Sequence, residues 1–287
     1  FEGGDTPIVF NGGAKFASIE NFRVIGGTYG ASCDGAWDYD NKGITMRRVH
    51  VSGTSSYGMY FYKTSKLSLH NCIVESFMGF FCVYADQSDI ELINCVVVGT
   101  PGRTCVRTNS VDSYYGADAH LMLCNSILWS YNGCCFFLDE HNTMTLSDYN
   151  VLYASGTGTI GSLGGWLTFN TLTDWQAYFL GAYDQHSLSA DPLFANPEQR
   201  DFHLQSTAGR WDPSANGGAG MWIVDAVDSP CIDAGPLGWD IGLEPIPNGG
   251  RINIGAYGGT AYTSKSAVLG RWLLLDSPVA GQIFRTS

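Results

Sequence analysis

The residues best placed to do chemistry in this chain come as a series. Asp40, Lys63, Asp86, Asn109 and Glu140 each follow a short apolar run, at intervals of 23, 23, 23 and 31 residues. If the repeats stack as strands, these side chains form one polar column. Asp86 and Glu140 would then stand two steps of about 4.8 Å apart, about 9.6 Å, the upper edge for the two carboxyls of an inverting glycosidase. A polysaccharide lyase would instead need a base such as Lys63 with its pKa brought down. Between Asp40 and Asp86 the charged ammonium is favoured, so that trio reads better as a surface salt-bridge stack worth no more than about 1 kcal/mol per pair. Trp37, Tyr60, Val83, Val106 and Phe137 form the expected outward column beside it. Trp37, Tyr60, Tyr62 and Lys63, with Tyr114 and Tyr115 from the excess of the longer interval, are the candidate substrate-binding residues. That excess would project as a loop over the column.

Asp34, Asp38 and Asp40 are candidate calcium ligands, because hard cations take several carboxylate oxygens from one flexible loop. Their spacing matches no EF-hand, and turn-capping aspartates are the competing expectation. No other cofactor is expected. There is no GxSxG elbow, HExxH or P-loop. Gly156 to Gly161 spells GxGxxG, but no βαβ context surrounds it. The nine cysteines show no zinc-type CxxC pair, and Cys72/Cys95 and Cys82/Cys105 read as inward columns of reduced, buried thiols.

The elements that must position these groups are short and repeated. Asn21, Arg48, Asn71, Asn94, Asn125 and Asp148 mark six equivalent segments, each followed by a second apolar run preceded by glycine, as at Gly58, Gly79, Gly102 and Gly133. A period of about 23 residues without helical periodicity predicts an all-β fold, a right-handed parallel β-helix, with the asparagines at one turn of every rung. The rungs are expected over residues 1–155, with no capping element before the first. A Gly-rich segment, a short helix with a capping-box start near Thr173 to Tyr178 and the end of the β-helix should fill 156–262. Residues 263–287 read as an exit segment or linker into a further domain. Ile73, Val96 and Ile127 form an outward apolar stripe that needs a cover; left bare, it would be a contact surface.

With 15 Lys+Arg against 27 Asp+Glu, a net charge of -12 and no basic run, a nucleic-acid partner is excluded on electrostatic grounds. No apolar stretch reaches the length of a membrane span, so membrane insertion is not expected. The 36 glycines, about one residue in eight against a usual ~7%, point to many tight turns.

The C-terminal third carries Asp191-Pro192-Leu193-Phe194, Asp201-Phe202-His203-Leu204, Ser229-Pro230-Cys231-Ile232-Asp233-Ala234-Gly235 and Arg251-Ile252-Asn253-Ile254-Gly255-Ala256-Tyr257. This string resembles the C-terminal end of bacterial extracellular right-handed parallel β-helix repeat proteins with a DPLF/SPxIDAG, choice-of-anchor type region. The resemblance implies a secreted or cell-surface bacterial protein and no particular activity. Asp184, His186, Asp191 and Asp233 fit turn and cap hydrogen bonding better than catalysis. The expected function is a non-catalytic module for adhesion, assembly or glycan contact, with polysaccharide or neighbouring copies as partners and a homo-oligomer or filament as one outcome. The alternative is a lyase or glycosidase working along a groove of the β-helix.

Overall fold

The computed structural model describes residues 5–10, 14–34, 41–76, 78–110, 119–139 and 143–267. The chain winds into a β-solenoid whose rungs pair in parallel, in register apart from shifts at Val51/Thr54 and Leu121/Met122. Three faces arise because each rung bends twice between strands. The first face stacks Thr64–His70, Ile90–Ile93, His120–Cys124 and Thr143–Asp148. The second stacks Ile73–Ser76, Val96–Gly99, Ile127–Tyr131 and Val151–Ser155. The long strands Ser18–Ile25 and Asn41–Thr54 run through the corner and serve both faces. The third face stacks Ile8–Phe10, Tyr29–Asp34, Tyr57–Tyr62, Phe81–Asp86, Thr104–Asn109, Cys134–Leu138 and Thr159–Leu163. The GxGxxG string therefore runs into a solenoid strand and opens no helix.

In-register stacking places like side chains above one another. Ile44, Leu67, Ile90, Leu121 and Met144 form one inward column and Val51, Val74, Val97, Leu128 and Leu152 another, all buried. Between them the chain turns at Asn71, Asn94 and Asn125, with φ of 53°, 52° and 52°. Asparagine tolerates this left-handed conformation better than other non-glycine residues. Asp148 does not continue the series: it pairs with Cys124 after a bulge between Leu121 and Met122, and Tyr149, φ 55°, takes the corner. All nine cysteines are buried and unbridged.

The end of the solenoid is closed by helix α1 (Leu172–Tyr178), whose capping box is Thr171 with Asp174. Its Trp175 is fully buried and packs edge-on against Phe136 at 4.7 Å. Asp184 lies beneath it, buried, and accepts hydrogen bonds from Ser147 Oγ, Ser187 Oγ, Asn150 Nδ2 and Trp175 Nε1. His186 is turned away to Asp148 at 2.7 Å and stacks on Tyr149.

The apolar stripe has a cover, and the chain supplies it. Ile73, Val96, Ile127 and Val151 form a second core with Phe194, Phe202, Leu204, Cys231 and Ile254. The expected contact surface for another copy is therefore occupied by the C-terminal region. The corner asparagines help to hold that region: Asn71 donates to the Ala256 and Gly258 carbonyls at 2.9 Å, and Asn125 to Asn253 O at 2.9 Å and Asn94 Oδ1 at 2.8 Å.

Candidate functional site

The second face is covered by the C-terminal region, and the third face keeps rows of partly exposed side chains. Along the third-face strands Tyr57–Tyr62, Phe81–Asp86 and Thr104–Asn109 the burial pattern repeats as partly exposed, buried, buried, partly exposed, buried, partly exposed. Two adjacent inward residues at the strand start, such as Gly58 and Met59, shift the alternation by one. This overturns part of the expected outward column: Val83 and Val106 are fully buried, and the outward row is Tyr60, Tyr84, Arg107 and Phe137. The neighbouring outward row is Tyr29, Tyr57, Phe81 and Thr104.

The two rows make one aromatic plate. Tyr29 stacks on Tyr57 at 5.6 Å, Tyr57 on Phe81 at 5.9 Å, and Tyr60 lies 5.5 Å from Tyr84. Arg107 continues the plate as a flat cation, with its guanidinium carbon 4.9 Å from the Phe81 ring centre and 4.6 Å from that of Phe137. Its Nη2 reaches Asp139 Oδ2 at 3.3 Å. From Tyr29 to Phe137 the plate crosses four rung steps, about 19 Å at ~4.8 Å each.

The polar column beside the plate also differs by one residue from expectation. Asp86 pairs with Tyr62 on one side and Asn109 on the other, so the column runs Tyr62, Asp86, Asn109. Lys63 lies outside it, at a corner with φ 50°, where its backbone N–H donates to Asp86 O at 2.9 Å and its ammonium sits 5.1 Å from the Tyr62 ring centre. Tyr62 takes the place beside Asp86 expected for Lys63, and Asp40, the other end of the expected Asp-Lys-Asp ladder, lies outside the described residues. Thr108 pairs with Leu138, so Asn109 is followed in the column by Asp139 rather than Glu140. Asp86 accepts from Asn109 Nδ2 at 2.9 Å. Burial raises the Asp86 pKa, and the Asn109 hydrogen bond and Arg107 only partly offset it. Tyr84 is pushed up to about 12, by burial first and then by Asp86.

Of the predicted site residues, the structure brings Tyr60, Tyr62, Lys63 and Asp86 onto this one face. Trp37, Asp38, Asp40, Tyr114, Tyr115 and Glu140 lie outside the described residues, and Asp34 ends a described strand opposite Tyr62. Among the described residues no cluster of three or more His, Cys, Asp or Glu is arranged to hold a metal. No described helix is long and apolar enough to cross a membrane. Sequence reasoning missed Tyr57, Phe81, Tyr84 and Arg107. Their signal was present as aromatic residues at a 23- to 24-residue interval, one position away from the column chosen.

The described residues of this face thus combine a partly exposed aromatic plate with a carboxyl, an amide and an ion pair along its edge. A family described as disaggregatase related matches residues 170–235. The matched stretch holds helix α1, Asp184, and the Asp191-Pro192-Leu193-Phe194 and Ser229 to Gly235 motifs, which fits a β-helix repeat protein. No curated protein and no solved structure matches this chain.

Proposed function

We propose that this chain is a β-helix module of a bacterial secreted or cell-surface protein that binds glycan along its third face, without cleaving it. The observation that carries the reading is the plate itself. Tyr29, Tyr57, Tyr60, Phe81, Tyr84 and Phe137 keep part of their rings exposed along one stacked face although burying them fully would be favourable. A pyranose ring has an apolar face that suits such rings, and its hydroxyls suit Asp86, Asn109 and Asp139. The acidic chain favours neutral glycans, or anionic ones with calcium as the bridging cation. The disaggregatase-related segment supports a polysaccharide-related role. The covered stripe counts against assembly through that surface. Electrophoresis of the native protein through gels cast with neutral polysaccharides tests the reading: retardation on at least one is expected, and unchanged mobility on all of them, with and without calcium, would reject it.

A second reading is favoured by one observation. Asp86, with its raised pKa, and Asp139, ion-paired with Arg107, stand two rungs apart in one column, about 9.6 Å at ~4.8 Å per step. A carboxyl whose pKa is raised by burial, paired across such a spacing with a second carboxyl, is the arrangement an inverting glycosidase needs. New reducing ends that vanish in Asp86→Asn, at unchanged melting temperature, would establish it. No products from any retained polysaccharide would leave the binding module alone.

A further inference from the structure

A second, separate cleft lies on the other side of the molecule. The outward row of the second face reads Arg23, His50, Ile73, Val96, Ile127, Val151, one residue per rung. Its apolar part is sealed under the C-terminal cover. At Arg23 and His50 the row turns polar, and there a cleft of about 880 Å³ lies between sheet and cover, lined by these two with His203, Trp211, Tyr257 and Tyr262 among others.

His203 is 2% exposed, and its ring edge is asymmetric in its bonding. Nδ1 lies 2.5 Å from Asp201 Oδ1, while the other Asp201 oxygen is 3.3 Å from Arg210 Nη1. A carboxylate held by an arginine is an acceptor, so in the neutral form of the imidazole the proton sits on Nδ1 and Nε2 presents a lone pair. That Nε2 is buried and has no hydrogen-bond partner. The ring is clamped by Tyr257, stacked at 3.7 Å. His50 Nε2 is also without a hydrogen-bond partner, 3.6 Å from Glu75 Oε1. His50 Nε2 faces a carboxylate oxygen and so carries the donor, whereas an unmet buried acceptor such as His203 Nε2 is costly and a ligand hydroxyl would relieve it.

Charge restricts the ligand. Arg23, Arg200 and Arg210 face Glu75, Asp201, Asp212 and Asp225, with Glu75 at 3.0 Å from Arg200 Nε and Asp225 at 2.9 Å from Arg210 Nε. Of these carboxylates Asp201 and Asp212 line the cleft, and Glu75 and Asp225 lie outside it but neutralise Arg200 and Arg210, so the paired guanidinium groups give little preference to an anion. Trp211 and Tyr262, 5.4 Å apart, supply an aromatic wall. We propose that this cleft binds the end of a neutral saccharide, with a ring hydroxyl donating to His203 Nε2 and the apolar sugar face lying against Trp211 and Tyr262. The cleft shares no residue with the third-face plate and stands whether or not that plate binds glycan.

The test uses the whole chain and long-range proton–nitrogen NMR of its histidine rings, titrated with the methyl glycosides of glucose, galactose and N-acetylgalactosamine, with glucuronate as the charged comparator. At least one neutral glycoside should move the His203 Nε2 resonance saturably and glucuronate should act at least tenfold more weakly. His203→Asn keeps a donor for Asp201 but lacks Nε2, and it should weaken binding at least tenfold; Trp211→Ala on the wall should do the same. Tyr84→Ala on the third face should leave the titration unchanged. The proposal is overturned if no neutral glycoside moves the His203 resonance in the wild-type protein, if glucuronate binds as well, or if Tyr84→Ala abolishes the effect.

Discussion

Arg107 is the residue on which the plate's rigidity turns. Its guanidinium sits between the rings of Phe81 and Phe137, one rung to either side, and also pairs with Asp139. The side chain is 27% exposed, so it is neither fully screened nor fully desolvated. Each cation–π contact in such a setting contributes about 0.5–1 kcal/mol, and the partly exposed ion pair no more than about 1. Arg107→Met keeps an apolar stem of similar reach and removes only the charge. The expected loss is therefore about 1–3 kcal/mol, read as a lower urea midpoint at unchanged slope. Losing the cation also removes an influence that lowers the Asp86 pKa, so Asp86 should hold its proton to still higher pH, visible in carboxyl NMR titration. Wild-type stability, within about 0.3 kcal/mol, together with an unmoved Asp86 titration, would refute the claim that Arg107 ties the plate to the acid column.

Three further outcomes follow from the fold. A Cβ on Gly79 would come within 1.4 Å of the Ser56 carbonyl oxygen of the previous rung, so Gly79→Ala should cost about 3 kcal/mol or more in thermal or urea unfolding. Burial pushes Glu244 up to about 7, although it accepts N–H bonds from Asn253 and Gly259. Because its folded pKa lies above the ordinary 4.5, the stability it contributes is complete below pH 4.5 and is lost as pH rises through 7. Urea unfolding should thus show the protein up to about 3 kcal/mol less stable at pH 8 than at pH 4.5 from this group, a difference that Glu244→Gln removes. Burial raises the thiols of Cys82, to about 12, and of Cys95, Cys105 and Cys135, so a thiol reagent should leave the native protein unlabelled and find nine thiols after unfolding without reductant.

The solenoid was legible because its rungs repeat one pattern, and in-register stacking makes any repeated column a physical column. Asn71, Asn94 and Asn125 announced the corner, and Ile73, Val96 and Ile127 announced a face in need of cover. The third face was read one residue out of phase because strict alternation fails where Gly58 and Met59, or Cys82 and Val83, both turn inward at the strand start. That slip put Val83 and Val106 in the outward row in place of Tyr84 and Arg107. The identity of the cover was hidden for another reason: Phe194, Phe202 and Ile254 meet Ile73 and Val96 across a long stretch of sequence, and no local periodicity records such a contact. The cleft left a faint trace, since Arg23 and His50 occupy the stripe's position in the first two repeats.

The central claim is that the aromatic plate binds glycan, and the most direct measurement is the affinity of the wild-type chain and of Tyr60→Ala/Tyr84→Ala for whichever neutral polysaccharide retards the protein most. Two lost ring contacts of about 0.5–1.5 kcal/mol each, beyond the area they cover, should raise Kd by about tenfold or more at an unchanged melting temperature. Equal affinity in the double variant would place the glycan elsewhere and contradict the account.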